Sequence, residues 1–148
     1  MSKIISVIKR AYIAGFLDGD GSIYVRLKPN STYKYGFQIS PAIILFQSIK
    51  EIEKFKKVCA LINCGYMRER NDGILEYTIN RRDEIIKLLK LIRPYLILKK
   101  DQADLMIKIL DQKNKVKNRN DFNKLAGLIE KFREVNYSKK RKRHDLTP

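Results

Sequence analysis

Residues 11–17, AYIAGFL, carry no charge, and two aspartates, Asp18 and Asp20, follow at once with glycines at 19 and 21. An uncharged helix has to be covered, so this segment reads as a buried helix of about residues 5–19, with Ile5, Ile8, Tyr12 and Phe16 at helical spacing and Gly19 and Gly21 ending it. Its end is electrostatically awkward. The C-terminus of a helix carries partial negative charge, and a carboxylate there is disfavoured by up to about 1 kcal/mol. A fold that keeps both aspartates must supply a positive partner. An EF-hand loop is one way to do so, and it fails on spacing. Counting from Asp18 puts Ile23 where the turn glycine belongs and Pro29 where the bidentate glutamate belongs.

The chain beyond this helix is regular. In SIYVRLK, Ile23, Val25 and Leu27 alternate with Ser22, Tyr24, Arg26 and Lys28, which predicts a half-buried strand. PNSTYKYG supplies a turn, and FQISPAIILFQ returns as a second strand, where Pro41 signals a bulge or an edge position. A helix over about 48–62 comes next, then strands at YMRER and ILEYTI joined by the turn NDG. Helices over 82–92, from about Lys99, and over 122–135 complete the order, with NKVKNRND as a charged linker and KKRKR at 139–143 as a basic tail. The predicted class is α+β, in the order α-β-β-α-β-β-α plus C-terminal helices. A four-stranded antiparallel sheet has helices on one face and leaves the other open. The expected division is a core over 1–113, a helical extension of the same domain over 114–137, and the tail over 138–148.

Thirty-two basic against sixteen acidic side chains leave a net charge of +16, a self-repulsion that calls for a polyanionic partner. Nucleic acid is the first candidate and an acidic membrane surface the second. Cys59 and Cys64 are too few for a ribbon-type zinc site and read as buried thiols, while the single histidine, His144, lies in the tail. No apolar run approaches the ~20 residues of a membrane span. The start MSKIISVIKR lacks a cleavable signal pattern, so a soluble intracellular protein is expected. Alternation alone places Tyr24, Arg26, Lys28, Gln38, Ser40, Tyr66, Arg68, Arg70, Glu76 and Thr78 on the open face. Their guanidinium, amide, hydroxyl and carboxylate groups match the donor and acceptor code of major-groove base edges.

IAGFLDGDG at 13–21 resembles the nine-residue signature of the LAGLIDADG homing endonucleases, and KPN, GYMRER and YLILKKDQA extend the resemblance over about residues 10–110. It is similar to the single-motif, dimeric branch. The later LAGLIE at 125–130 lacks the aspartates and reads as ordinary helix. The resemblance implies site-specific, double-strand DNA cleavage by a homodimer on a long near-palindromic target, with short 3′ overhangs. It makes Asp20 a catalytic metal ligand, with the Gly19 carbonyl beside it, for Mg²⁺ (Mn²⁺ or Ca²⁺ substituting, Ca²⁺ without cleavage). It assigns Gln47 and Lys99 to the surrounding polar shell, and adds Asn30, Thr32 and Tyr33 to the DNA contacts. It sets Ile13, Ala14, Gly15, Leu17 and Asp18 in the dimer seam, where small residues let two signature helices approach. For Asp18, helix-end capping and metal ligation both stay open. One departure stands out: a position that is basic in the relatives is Glu51, with Lys50 beside it. The alternative reading is a non-cutting DNA- or RNA-binding protein of the same fold, an intron maturase or a regulator, with intron RNA as partner.

Overall fold

A computed structural model describes residues 6–136; Ile5, the run at 139–143 and His144 lie outside them. The elements run α1 (Val7–Asp20), β1 (Gly21–Pro29), β2 (Phe37–Ser48), a 3-10 turn (Ile49–Glu51), α2 (Ile52–Ala60), β3 (Tyr66–Glu69) and β4 (Ile74–Ile79). Then come α3 (Arg82–Ile92), a 3-10 turn (Arg93–Tyr95), α4 (Lys100–Lys113) and α5 (Arg119–Val135). All pairings are antiparallel, in the order β1-β2-β4-β3, so the second strand of each hairpin lies inside. This is the α+β arrangement expected from the alternation. The β1–β2 register is unbroken from Gly21↔Leu45 to Pro29↔Phe37. Pro41 therefore makes no bulge; it sits in the part of β2 that β4, which begins pairing at Ile43, does not reach.

Parity divides the sheet. Odd-numbered residues such as Ile23, Ile43, Leu45, Leu75 and Ile79 face the helices and are at most 1% exposed. Each large aliphatic side chain buried so completely contributes about 1.5–3 kcal/mol. Ile13 and Leu17 of α1, Ile85 and Leu89 of α3, Met106 of α4 and Phe132 of α5 complete the same core. Asn136 Nδ2 donates to the Ile23 carbonyl (3.1 Å) and Gln102 Nε2 to that of Val135 (3.2 Å), tying the end of α5 to β1 and α4. Cys59 and Cys64 are free thiols, pushed up to about 12 and about 11 chiefly by burial, so neither is a ready nucleophile. Among the described residues no helix is long and apolar enough to cross a membrane.

Three of the boundaries that differ from the sequence reading have a local cause. The segment after β2 begins as a 3-10 turn, because the Ser48 hydroxyl accepts from the Lys50 N–H (3.2 Å) before the helix proper starts. α5 starts at Arg119 rather than 122: Asn118 Oδ1 accepts from the Asp121 N–H (2.8 Å) and Asp121 accepts from the Lys117 N–H (3.1 Å), a reciprocal cap inside what reads as charged linker. Finally, Gly19 is helical, and Gly21 closes α1 with an extended φ of −130°. Gly21 is required by space: a Cβ there would lie 2.5 Å from the Leu17 side chain and 2.9 Å from its carbonyl.

Candidate catalytic centre and nucleic-acid interface

The two aspartates at the end of α1 have different surroundings. Asp18 Oδ2 accepts from the backbone N–H of Ile97 (2.8 Å) and Leu98 (3.2 Å), and Oδ1 accepts from that of Lys99 (3.0 Å). Three successive N–H groups form an anion-binding concavity, here at the positive end of α4. Lys99 Nζ also donates to the Asp18 carbonyl (2.8 Å). The charge that looked misplaced at the end of one helix is therefore neutralised by the start of another. Asp18→Ala is expected to cost about 2 kcal/mol in urea unfolding, since hydrogen bonds to a charged group are the strong ones, and Asp18→Asn less. A loss within error would remove the tether from the fold's support.

Asp20 is exposed, and among the described residues its carboxylate accepts no hydrogen bond and makes no ion pair. The Gly19 carbonyl lies in the same last turn, where helix carbonyls lack intrahelical donors. Lys99 is held to this helix end through Asp18. Gln47 stands two residues past the Gly21↔Leu45 pair, at the end of the sheet where α1 enters β1, with its Oε1 accepting from the Ser48 N–H (2.8 Å). Glu51, at the same end, is exposed and pairs with Lys54 (3.3 Å), while Lys50 is exposed without an ion pair among the described residues. No group of three His, Cys, Asp or Glu side chains suited to a metal occurs among the described residues. A free carboxylate with a neighbouring carbonyl offers oxygen donors of the kind hard cations take.

The open face is formed by the even-numbered residues. Arg26↔Ser40 and Lys28↔Gln38 pair across β1–β2, and the Arg26 guanidinium lies 4.9 Å over the Tyr24 ring. Tyr66 and Arg68 are exposed on β3. In the turn before β2, Asn30 Oδ1 accepts from the N–H (3.1 Å) and hydroxyl (2.6 Å) of Thr32, and Tyr33 is exposed. Two expected contacts are corrected. Thr78 is buried, flanked across the strands by Ile44 and Tyr66. Glu76 is mostly covered and lies between Arg68 and Arg70, 3.5 Å from each. Sequence reasoning missed Ile44 and Phe46 on this face, because the run AIILF hides its own alternation.

The remaining surface is the outward side of α1. Ile8 (83% exposed) and Tyr12 (53%) line up with exposed Ala11, Gly15 and Gly19, at helical spacings of three and four. A Cβ at Gly15 or Gly19 would meet nothing within 4 Å. Ile13, Ala14 and Leu17, expected in a dimer seam, are instead buried in the chain's own core, and the Asp18 carboxylate is spent on residues 97–99. The stripe with Ile8 and Tyr12, expected to face inward, faces outward. Of the expected seam residues, Gly15 alone lies on that stripe.

Residues 13–110 match the LAGLIDADG endonuclease family. The chain is 33% identical over 132 residues to the DNA endonuclease I-CreI of Chlamydomonas reinhardtii, spanning 88% of this chain and 80% of that one. It is 29% identical over 134 residues to the DNA endonuclease I-CvuI of Chlorella vulgaris, spanning 90% and 83%. A crystal structure of I-CvuI with its target DNA and calcium superposes with a TM-score of 0.84 at 29% identity, covering 92% of this chain and 87% of that one. A second I-CvuI crystal structure, with the I-CreI target and magnesium, gives the same score over 91% and 86%.

Proposed function

The chain belongs to the LAGLIDADG endonuclease family, and from that premise we propose that it cuts double-stranded DNA at a specific site, as a homodimer, with a divalent metal. The observation that carries this reading is the free Asp20 carboxylate at the end of a helix whose outward side is apolar and glycine-lined. Two copies packed through Gly15 and Gly19 bring their Asp20 residues side by side near the two-fold axis. Like charges so placed are costly without a cation. The donor set fits Mg²⁺: carboxylate and carbonyl oxygens, with phosphate oxygens completing the shell. When bound, such a cation lowers the pKa of an attacking water and stabilises charge on the phosphate.

This chain's own residues do the rest. Asp20 and the Gly19 carbonyl hold the cation, with Mn²⁺ or Ca²⁺ as substitutes and Ca²⁺ without cleavage. Lys99 adds positive charge at the same helix end, and Gln47 orients water. Lys50 takes the place of the basic group that Glu51 lacks. Tyr24, Arg26, Lys28, Gln38, Ser40, Tyr66 and Arg68 read base edges, and Asn30, Thr32 and Tyr33 contact DNA from the turn. Since each chain carries one signature, the target is near-palindromic, with one half-site per subunit.

The test is to incubate the full chain and Mg²⁺ with a plasmid bearing the uninterrupted form of its insertion site. Linear product with short 3′ overhangs is expected. Specific retention of the plasmid without cutting would establish the non-cutting reading instead, and the absence of both would end the proposal.

A further inference from the structure

In a chain of net charge +16, the β3–β4 hairpin carries more acid than base: Arg68 and Arg70 stand against Glu69, Asp72 and Glu76, and their ion pairs are with the last two. The two arginines are not equivalent. Arg68 keeps 66% of its side chain exposed and touches one carboxylate, Glu76 at 3.5 Å. Arg70 keeps 40% and is bracketed: Nη2 meets Asp72 Oδ2 at 2.7 Å, and Nη1 meets Glu76 Oε1 at 3.5 Å. Asp72 is itself fixed, because its Oδ1 accepts from the Ile74 N–H at 3.3 Å within the turn that closes at Gly73.

A guanidinium held on both terminal nitrogens has little net attraction left for a passing phosphate. A contact that breaks the 2.7 Å pair is repaid only where acceptors match its geometry closely, as the two acceptors of a guanine edge do. We propose that Asp72 is a specificity-determining residue. Its carboxylate withholds Arg70 from non-specific DNA and releases it to a matching base edge. Discrimination then comes partly from a penalty on wrong partners rather than from attraction to the right one. This rests on the DNA-recognition reading above.

Asp72→Asn separates charge from shape, since an amide oxygen still accepts from the Ile74 N–H. Full-length wild type and variant are used to enrich duplexes from a randomised pool in Ca²⁺. Binding to the wild-type-selected duplex and to random duplex is then titrated across salt, with thermal melting as a folding check. The variant is expected to melt like wild type and to bind random duplex several-fold tighter. Its salt dependence on random duplex should steepen by about one unit of slope, as one more phosphate is neutralised. Its ratio of selected to random affinity should fall about tenfold. An unchanged ratio and slope would overturn the proposal and leave Asp72 as a turn residue. Asp72→Ala, which loses the turn acceptor as well, measures that role. A wild type that enriches no sequence would instead overturn the DNA-recognition reading itself.

Discussion

Asp20→Asn is expected to lower the cleavage rate by about 10³-fold or more while leaving target affinity within a few-fold. A metal-stabilised transition state draws several kcal/mol from its cation, and each 1.36 kcal/mol is a factor of ten. An amide keeps the shape of the carboxylate and loses the charge that holds the cation. Among the described residues nothing compensates for or depends on that charge, because the Asp20 carboxylate has no partner there. Stability should therefore be unchanged, in contrast to Asp18. Single-turnover cleavage and gel-shift affinity on the same duplex separate the two effects. A variant that cuts at the wild-type rate would remove Asp20 from the chemistry, and one that fails to bind would make it a DNA contact.

The second large effect is expected at Gly15. Its position on the exposed side of α1 has open space where a Cβ would go, so the isolated chain accommodates leucine. Helix propensity even favours the change by up to about 1 kcal/mol. Across a two-fold seam the same side chain would stand between two backbones. Gly15→Leu should thus give a folded monomer by sedimentation, with an undiminished melting temperature at low concentration and no double-strand cleavage. Gly127→Leu on α5, also exposed and also with nothing within 4 Å, supplies the control: equal helix gain and an unaltered assembly. A Gly15→Leu protein that sediments as wild-type dimer would move the seam elsewhere.

Much of the fold was legible in residue order. Strict alternation in SIYVRLK and ILEYTI places β1 and β4, and Pro94 stops α3 where the periodicity says it should. The signature at 13–21 points to the helix end that carries Asp20. The orientation of α1 was not legible, since a helix apolar on all sides offers no pattern for choosing which side meets the core. Ile13, Ala14 and Leu17 won that place over Ile8 and Tyr12 through packing with residues far along the chain. The partners of Asp18 and the bracketing of Arg70 were hidden for a similar reason: hydrogen bonds and ion pairs between elements have no period. Ile44 and Phe46 were hidden by their neighbours, because a run of apolar residues reads alike on both faces of a strand.

The tether at Asp18 joins positions 79 to 81 residues apart. Contacts of such long range close late, after their loop entropy has been met. A nascent or partly melted chain lacking a docked α4 therefore has an unanchored α1 end, and its Asp20 hangs from a frayed turn. If Asp20 has the proposed role, readiness to cut depends on α4 being docked against the end of α1. A chain cut before residue 97 would keep the signature at 13–21 and lose the three N–H groups that hold the Asp18 carboxylate.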